Sequence, residues 1–408
     1  MKSDLDALME EKKLDAIMVF GNAEYNPPMY YLTGGGHVSS AILIKKRREE
    51  PVYYCNVMER GEAAKSGLDV VSLHYSPMEE FLNERGVRAF RDIGLTSGRV
   101  GVYGNANVSI ALGIMDHLNQ ALPGLTFVGE GIGENIFSYA MESKDQVEVD
   151  RIRHMGAVTT EVVRLTAEYL TSRDVREDEV LLKEDGSPLT IANVKRKINL
   201  WLAERNAVPS EGFIFAIGAD AGVPHSQGEP GDLLCLGQTI VFDIYPQEQG
   251  GGYFYDFTRT WSLGYATPEA QKLYDEVHYV YDTVVENLDL NVDFREYQKL
   301  TCEEFHKFGH NTPMHMEGLL MEGYVHSLGH GVGLNIHERP SSRHTAPDDN
   351  LLKPGVVITI EPGLYYPKKG MGFRIEDTYW VRPDGMIELL AEYPYDFVLE
   401  MKKWKKLI

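Results

Sequence analysis

The segment "TIVFDIYPQEQGGGYFYDFTRTWSL", residues 239–263, contains two strand-like apolar runs on either side of a glycine-rich turn. Each run carries one aspartate among apolar neighbours, Asp243 in "IVFDIY" and Asp256 in "YFYDFT". Because the triple glycine at 250–252 favours a reversal of the chain, the two runs predict a β-hairpin that brings the two aspartates together.

A second pair of acids repeats this arrangement further along the chain. Glu361 lies in "ITIEPG" and Glu376 in "FRIEDT", and the two flank the turn "KKGMG", residues 368–372. Strands disfavour acidic residues, and a lone buried carboxylate costs several kcal/mol. Four such acids on two hairpins therefore predict a shared bound cation, and surface acids on edge strands are the alternative.

Three histidines lie between these pairs, in "HSLGHGVGLNIHERP", residues 326–340. His326 and His330 are four residues apart, as in a zinc-binding helix, but no HExxH motif is present, and the surrounding glycines disfavour a continuous helix. A zinc site that also includes His337 is therefore the less favoured interpretation. A single histidine is more often a hydrogen-bonded structural residue, but the four carboxylates favour one imidazole ligand here.

The 408 residues are more than one ordinary domain needs, and they predict two domains. From Leu14 to about Gly131, short apolar runs alternate with helix-like stretches, which indicates an α/β domain. Near residue 140 the pattern changes to a long amphipathic helix, Glu142 to Leu170, followed by strand-like runs grouped with helices. We therefore predict an α/β domain at 1–140 and an α+β domain at 141–408.

Two further helices are predicted in the second domain. "IANVKRKINLWLAER", residues 191–205, has helical spacing of its apolar residues. Another helix is predicted to start at Thr267–Pro268 and to continue to about Leu290, because threonine followed by proline favours a helix start.

Composition and charge bear on the compartment and the partners. The chain has 40 basic and 61 acidic residues, a net charge of −21, which disfavours nucleic acid and anionic membranes as partners. No apolar run approaches the roughly 18 residues of a membrane span. The N-terminus carries acids and lysines where a signal peptide would be apolar, and three scattered cysteines suit a reducing compartment. These features predict a cytoplasmic protein.

The acidic and histidine motifs together resemble those of the pita-bread metallopeptidases, the family of methionine aminopeptidase, aminopeptidase P and prolidase. The resemblance consists of "VFDIY…YFYDFTRTW", "GHGVGLNIHERP", "ITIEPGLYY" and "FRIEDT", in that order over about 140 residues. "GVPHSQG" lies upstream, where the family has a histidine on the substrate side. The N-terminal half is similar to the creatinase/prolidase branch. The resemblance implies a creatinase/prolidase-like α/β domain followed by a catalytic α+β pita-bread domain.

In the family, the corresponding residues hold two divalent metal ions. By this resemblance Asp256 and Glu376 would bridge the ions, Asp243 would chelate one, and His330 with Glu361 would complete the other. The oxygen-rich ligand set favours manganese, with cobalt, iron or zinc as substitutes.

The resemblance also implies roles in catalysis. The two cations would lower the pKa of a bridging water and polarise the scissile carbonyl. Glu361 would shuttle the proton, and His225 and His337 would contact the substrate carbonyl and the tetrahedral intermediate. The wall of the active site would be formed by three further side chains, His326, Arg374 and Tyr365.

Members of this branch hydrolyse the bond between any residue and a following proline. The resemblance therefore implies an Xaa-Pro aminopeptidase or an Xaa-Pro dipeptidase whose substrate is a short peptide with proline at the second position. Relatives are commonly dimers, which implies a homodimer. The alternatives are a metal-dependent lyase or other hydrolase on the same scaffold, a metal-free amidinohydrolase, and a non-catalytic pita-bread binding protein. The complete set of ligand positions disfavours the last two.

The chain departs from the family pattern in two places. The loop from Asp243 to Asp256 is longer than is usual, and "DIYP" replaces the usual Asp-x-Gly. Many dipeptidase members have an arginine directly after the proline of the HExP run, where this chain has Ser341. Because Arg339 and Arg343 lie nearby in sequence, recognition of a dipeptide carboxylate stays open.

Overall fold

The computed structural model describes residues 4–73, 78–131 and 133–404. The chain divides into two units, one of Met1–Met141 with Gln249–Gly252 and the other of Glu142–Glu248 with Tyr253–Ile408. All of the site residues predicted from the sequence belong to the second unit.

The first unit is built on a six-stranded mixed sheet with helices, as expected for an α/β domain. Its strands are β1 (Ala16–Gly21), β2 (Ala41–Lys46), β3 (Val52–Asn56), β4 (Asp69–Leu73), β5 (Gly98–Asn105) and β6 (Leu125–Val128). The helices are α1 (Leu5–Glu11), α2 (Pro27–Thr33), α3 (Arg60–Ala63), α4 (Met78–Asp92), α5 (Val108–Ala121) and α6 (Ile136–Glu142). The strands lie in the order β4, β3, β2, β1, β5, β6, and β1 is antiparallel to β2 and parallel to β5.

The core of the first unit forms where apolar side chains of the sheet meet two helices. Met18 and Val100 of neighbouring strands pack in one cluster with Phe90 of α4 and with Ile114 and Leu118 of α5. Each of the short apolar runs predicted in this region overlaps one of the six observed strands.

The triple-glycine turn at 249–252 belongs to the first unit, which the sequence did not indicate. The backbone N–H of Gly250 lies 3.4 Å from the hydroxyl oxygen of Tyr25. Gly251 has a φ of +90°, and a Cβ there would collide with the backbone of Tyr25. Only glycine meets both requirements, because it has no Cβ and adopts positive φ without strain.

The second unit combines helices with several sheets. Its helices are α7 (Gln146–Thr171), α8 (Ile191–Ala203), α9 (Pro268–Asn287) and α10 (Phe294–Lys307). Its strands, in chain order, are β7 (Asp174–Val175), β8 (Leu181–Leu182), β9 (Ala207–Val208), β10 (Ile214–Ile217), β11 (Thr239–Ile244), β12 (Gln247–Glu248), β13 (Phe257–Leu263), β14 (His330–Gly331), β15 (Glu338–Ser341), β16 (Val357–Ile360), β17 (Gly363–Tyr366), β18 (Met371–Arg374), β19 (Asp377–Val381), β20 (Ile387–Leu389) and β21 (Val398–Leu399). These strands pair antiparallel except for β21, which is parallel to β13.

Two of these sheets carry the predicted site. One has the strand order β10, β11, β13, β21, and the other has the order β15, β14, β16, β19, β20. An isolated antiparallel bridge between Thr258 of β13 and Glu376, just before β19, joins the two sheets. The carboxylates that the sequence predicts to converge are therefore carried by neighbouring sheets.

The predicted hairpins are present, but most of the predicted acids do not lie within strands. β11 pairs with β13 and β17 pairs with β18, both antiparallel. Asp243 lies in β11, whereas Asp256 precedes β13, Glu361 separates β16 from β17, and Glu376 separates β18 from β19. The prediction that these three acids lie within strands was wrong. Asp256 comes just before β13 begins. At Glu361 and at Glu376 the chain leaves one sheet for another, so neither of these two glutamates pairs within a ladder.

The helices agree with the sequence to within a few residues. The long helix begins at Gln146 rather than Glu142, because Asp145 and Glu148 form a capping box there. The Thr267 side chain caps α9 by accepting from the backbone N–H of Ala270, as predicted. The helix α10 was not predicted. Across the described part of the chain, no helix combines the length and the apolar character that crossing a membrane requires.

Candidate metal centre

Five side chains converge where the two larger sheets of the second unit meet. Metal-ligating atoms of Asp256, His330 and Glu376 all lie within 4.8 Å of one another. His330 Nε2 is 3.6 Å from Asp256 Oδ2 and 3.5 Å from Glu361 Oε1. The charge of Asp243 raises the pKa of Asp256, after the larger effects of burial and of Glu376, so Asp243 borders the same group. The structure thus brings the five predicted ligands together, and we call them the acidic cluster.

Glycines beside His330 allow its strand to pass close to both neighbours. A Cβ at Gly331 would collide with the carbonyl oxygen of Arg339, and a Cβ at Gly329 would collide with that of Thr359. His330 itself lies in the short strand β14. The expectation that these glycines disfavour a continuous helix is confirmed.

His330 presents an unprotonated nitrogen to the carboxylates. Its Nδ1 lies 3.0 Å from the carbonyl oxygen of Gly331, so Nδ1 carries the proton and donates it. Burial lowers the pKa of His330 to about 3, which keeps the ring neutral near pH 7. The lone pair of Nε2 then faces carboxylate oxygens of Asp256 and Glu361. Acceptors that face one another in this way suit a cation between them, and metal-ligating histidines usually donate their other N–H to such a partner.

Three carboxyl groups of the cluster, those of Asp256, Glu361 and Glu376, resist ionisation in the absence of a cation. Burial, and after it the charge of Glu376, raises the pKa of Asp256 and of Glu361 well above the usual range. Burial and the charge of Asp243 raise the pKa of Glu376 to about 8. The guanidinium of Arg374 opposes these shifts in all three groups. Four carboxylates against one guanidinium leave an excess of buried negative charge.

Two buried oxygens of the cluster have no hydrogen-bond partner in the described part of the chain, Asp243 Oδ1 and Glu376 Oε1. The second oxygen of each group is engaged, by Arg374 Nη2 at Asp243 and by the Thr258 hydroxyl, at 2.7 Å, at Glu376. A buried acceptor without a donor costs about 1–3 kcal/mol. Coordination to an ion would remove this cost, and four carboxylates with one neutral imidazole fit a hard divalent cation.

A line of hydrogen bonds borders the cluster along the predicted wall. The Tyr365 hydroxyl lies 2.9 Å from His326 Nε2 and accepts from Arg374 Nη1 at 2.6 Å. Arg374 Nη2 in turn contacts Asp243. His326 Nδ1 is 2.7 Å from the carbonyl oxygen of Ser327, and burial lowers the pKa of His326 to about 3. This geometry fits a neutral His326 that donates from Nδ1 and accepts the Tyr365 proton at Nε2.

The two histidines expected near the substrate lie on the solvent side of the cluster. His225 and His337 are exposed, unlike His330. The rings of His337 and His330 are 4.4 Å apart between centroids. Burial lowers the pKa of His337 most, and nearby Arg343 and His225 lower it further. Both histidines therefore border the cluster from outside.

The two arginines that flank Ser341 have different environments. Arg339 is buried, and its guanidinium lies 3.3 Å from Glu142 and 3.0 Å from Asp349, so structural ion pairs engage it. Arg343 is exposed, and its guanidinium has no ion-pair partner among the described residues.

Arg343 nevertheless lies near the acidic cluster. It stands two residues beyond Ser341, the last residue of β15, which pairs with His330. Consistent with this, Arg343 is among the groups that counter the raised pKa of Glu361, in which burial and Glu376 are the largest causes.

A second group of buried charge adjoins Glu376, and sequence reasoning missed it. The side chains of Arg259 and Asp377 are 1% and 0% exposed, and Arg259 Nη2 lies 2.9 Å from Asp377 Oδ1. Asp377 Oδ2 also accepts from the hydroxyls of Tyr281 at 2.6 Å and Tyr395 at 2.9 Å. The rings of Phe257 and Tyr395 lie 4.2 and 4.3 Å from Arg259 Cζ. We call these five residues the arginine cluster.

The arginine cluster supports the backbone of Glu376. Arg259 Nη1 donates to the carbonyl oxygens of Glu376 at 2.9 Å and of Thr258 at 3.0 Å. The Thr258 hydroxyl donates to Glu376 and accepts from Arg374 Nε at 3.2 Å. An arginine inside the strand-like "DFTRTW" and the second acid of "IED" were the available signals, because each is a charge where a strand favours an apolar residue.

Comparisons with known sequence families give two matches. Residues 150–383 match the profile described as metallopeptidase family M24, which is more than half of the chain. Residues 2–130 match the creatinase/prolidase N-terminal domain.

Individual relatives and solved structures resemble the chain over nearly its whole length. An Xaa-Pro dipeptidase of Pyrococcus horikoshii is 24% identical over 384 residues, which cover 92% of this chain and 93% of the relative. The structure of an Xaa-Pro dipeptidase from Bacillus anthracis superposes with a TM-score of 0.77 at 18% identity, over 97% of this chain and 98% of that one. The structure of an X-Pro aminopeptidase from Thermotoga maritima gives 0.75 at 19% identity, over 95% and 99%.

Proposed function

We propose that this chain, which belongs to metallopeptidase family M24, hydrolyses the bond between an N-terminal residue and a following proline. Family membership confirms the predicted metallopeptidase, and the two profile matches confirm the predicted arrangement of a creatinase/prolidase-like domain before a pita-bread domain. The observation that carries the proposal is the acidic cluster, whose buried carboxylates have unpartnered oxygens and face a neutral imidazole.

Divalent metal ions are the cofactor of this family, and the five residues of the acidic cluster would hold them. We propose Asp256 and Glu376 as bridging ligands, Asp243 as the chelator of one ion, and His330 with Glu361 as ligands of the other. Manganese is the proposed metal, because the ligand set is dominated by carboxylate oxygens.

When bound, the ions supply Lewis-acid chemistry, since they polarise a carbonyl and generate a nucleophile from water near neutral pH. Glu361 is the proposed proton shuttle, because its carboxylate lies 3.5 Å from His330 Nε2 and 3.9 Å from His326 Nδ1. His225 and His337 would donate hydrogen bonds to the substrate carbonyl and to the oxyanion that develops from it.

The remaining wall residues have a positioning role in this proposal. His326 and Tyr365 hold the guanidinium of Arg374, and Arg374 orients Asp243. The orientation leaves Asp243 Oδ1 without a protein partner and available to a cation.

Arg343 favours a dipeptide substrate over a longer peptide. In a dipeptide the residue that follows the scissile bond carries a free carboxylate. An exposed guanidinium near the acidic cluster is suited to bind that carboxylate. Arg339 cannot take this role, because Glu142 and Asp349 already engage it. We therefore propose an Xaa-Pro dipeptidase and keep the aminopeptidase as the second candidate.

The metal-free amidinohydrolase and the non-catalytic binding protein are less favoured because all five ligand positions carry ligating side chains that converge. A metal-dependent lyase or other hydrolase on the same scaffold would keep these side chains, and it is less favoured because the chain resembles Xaa-Pro peptidases over nearly its whole length. We further propose a creatinase/prolidase-like domain at 1–140, a catalytic domain at 141–408, and a cytoplasmic homodimer that acts on short peptides without nucleic acid or membrane. The profile match at 2–130, the net charge of −21 and the three scattered cysteines support these assignments.

The test combines metal analysis with matched substrates. Protein purified without chelator is expected to contain divalent metal and to cleave Ala-Pro faster than Ala-Pro-amide and Ala-Pro-Ala. Arg343→Gln should reduce the preference for Ala-Pro over Ala-Pro-amide by about tenfold or more, because a charge-assisted hydrogen bond is worth about 1.5–3 kcal/mol.

Arg382→Gln, which alters another partly exposed arginine of the second unit, is the matched control and should keep the wild-type preference. Equal cleavage of dipeptide and amide by wild type, with efficient cleavage of the tripeptide, would select the aminopeptidase. Absence of cleavage of all three by metal-loaded protein would refute the proposed function.

A further inference from the structure

Tyr245 stands two residues after Asp243, at the place of the glycine in the Asp-x-Gly pattern that this chain lacks. In the ladder between β11 and β13, Asp243 pairs with Thr258 and Ile244 pairs with Phe257. The ladder ends there, but the isolated bridge between Gln247 and Phe254 keeps the same register, which places Tyr245 opposite Asp256. Directly opposed residues, and residues two apart along a strand, share one face. Tyr245 therefore extends from the face that carries two proposed metal ligands.

The side chain of Tyr245 reaches solvent from this face. It is the one residue of 239–247 that is not buried. Its hydroxyl forms no hydrogen bond within the described ranges of the chain. A tyrosine hydroxyl is protonated near neutral pH, so it can donate a hydrogen bond to a substrate.

The exposed acid Glu211 lies near Tyr245. Burial raises the pKa of Tyr245 most, Asp243 and Asp256 raise it next, and the charge of Glu211 adds to their effect. The Ser210 hydroxyl donates to Gln247 Oε1 at 2.7 Å, which holds the segment with Glu211 beside the strand that continues from Tyr245. An exposed acid is therefore near the phenol, in addition to the two buried carboxylates.

The exposed charges at the two ends of the acidic cluster have opposite signs. Glu211 lies at the Tyr245 end, whereas Arg343 lies near Glu361 and the two histidines beside it. A peptide with a free α-ammonium is oriented by such a field, because its cationic end is attracted to the acidic side. The N-terminal residue of the substrate is therefore directed toward Tyr245.

We propose that Tyr245 determines specificity for the N-terminal residue of the substrate, its ring limiting the size of that side chain and its hydroxyl bonding to that residue. The inference rests on the proposed exopeptidase function, because only that function places a free N-terminus in the site. At the position of Tyr245 the family pattern has glycine, so the tyrosine ring fills space that the side chain of the N-terminal substrate residue would otherwise occupy. Substrates with a small N-terminal residue are therefore favoured over substrates with a large one.

The first test compares kcat/KM for Ala-Pro and Phe-Pro. The wild type should prefer Ala-Pro, and Tyr245→Ala should raise the Phe-Pro to Ala-Pro ratio by about tenfold or more, since even one methylene in a pocket changes specificity about 10–200-fold. Tyr245→Phe keeps the ring, so the ratio should stay near the wild-type value while kcat/KM for both substrates falls. Tyr279→Ala, which removes an exposed tyrosine on α9, should leave the ratio unchanged.

A second measurement does not depend on turnover. Binding of alanine hydroxamate and phenylalanine hydroxamate to metal-loaded protein is measured by titration calorimetry, and Tyr245→Ala should remove the wild-type preference for the alanine compound. If Tyr245→Ala does not fold, Tyr245→Leu should shift both preferences in the same direction. Metal content is measured in every variant.

The outcomes separate the two proposals. If peptides with proline are not cleaved but the hydroxamate preference shifts in Tyr245→Ala, the proposed function is wrong and the assignment of Tyr245 stands. If the peptides are cleaved and neither preference shifts in a variant with wild-type metal content, the assignment of Tyr245 is overturned.

Discussion

The acidic cluster and the arginine cluster are both buried in the second unit and meet at consecutive residues, Glu376 and Asp377, yet their charges are compensated differently. In the arginine cluster one guanidinium faces one carboxylate, and two tyrosine hydroxyls complete the partners of Asp377. In the acidic cluster four carboxylates share one buried guanidinium, that of Arg374, and two of their oxygens have no partner among the described residues.

The difference indicates that burial of charge does not by itself identify a functional site. A buried carboxylate whose oxygens all have protein donors, such as that of Asp377, is stable without a ligand and supports the structure. Buried carboxylates that lack donors and raise one another's pKa are expensive unless a cation binds. The count of missing partners therefore separates a supporting network from a metal site in the same fold.

The largest expected effect comes from removing one carboxylate of the acidic cluster. Asp256→Asn keeps the size of the side chain but removes a proposed bridging ligand. Loss of several kcal/mol of Lewis-acid stabilisation should lower kcat/KM by about 10³-fold or more, together with the bound metal. Elemental analysis and peptide kinetics measure both effects, and Glu269→Gln, an exposed acid on α9, is the control.

The metal-free form of the same variant tests whether the protein itself compensates the charge of the acidic cluster. Because Asp256 is a carboxyl in an uncompensated group, metal-free Asp256→Asn should be at least as stable to urea as metal-free wild type. A clearly lower stability would show that the acidic cluster is compensated by the protein after all.

Removal of the acid from the arginine cluster should have the opposite effect on stability. Asp377→Asn leaves the guanidinium of Arg259 buried without its counter-charge, which should cost about 3–5 kcal/mol in the free energy of unfolding. Urea denaturation with metal present measures the loss. In Asp384→Asn, an exposed aspartate loses its ion pair with Arg382, and the loss should be less than about 1 kcal/mol. Similar losses in the two variants would contradict the structural role of Asp377.

The smallest expected effect comes from the Thr258 hydroxyl, which bonds to both Glu376 and Arg374. Thr258→Val removes the donor to Glu376 and the acceptor for Arg374, and the loss of such an outer partner should weaken metal binding by about 10–100-fold. Thr258→Ser retains the hydroxyl and should bind metal nearly as tightly as wild type. Competition with a chromophoric chelator measures the affinity, and equal affinity in both variants would remove Thr258 from the site.

Local chemistry made much of the fold predictable. Apolar runs of strand length, the glycine turns and the Thr267 cap depend on residues close together in sequence, and the corresponding strands, hairpins and helix are present. The strand ends were less predictable. Asp256, Glu361 and Glu376 lie outside the strands because the local pattern does not indicate where the chain leaves one sheet for another.

Long-range partners account for what the sequence did not indicate. Arg259 and Asp377 are 118 positions apart, so nothing local pairs them. Likewise Arg339 and Arg343 are close in sequence, and only the acids that reach Arg339 in the folded chain distinguish the two.

The amino-acid pattern was enough to indicate which residues could form a carboxylate-rich metal site. Burying several acids in apolar runs costs so much free energy that a shared bound cation is the simplest explanation. The sequence also determined the order of the domains and the family, through motifs whose spacing is carried along the chain. Only the tertiary structure decided which charges are left without partners. Whether a polar group has a partner depends on the distances between side chains that come from different sheets. Among the described residues, this lack of a partner distinguishes Glu376 from Asp377, Arg343 from Arg339, and the hydroxyl of Tyr245 from that of Tyr365.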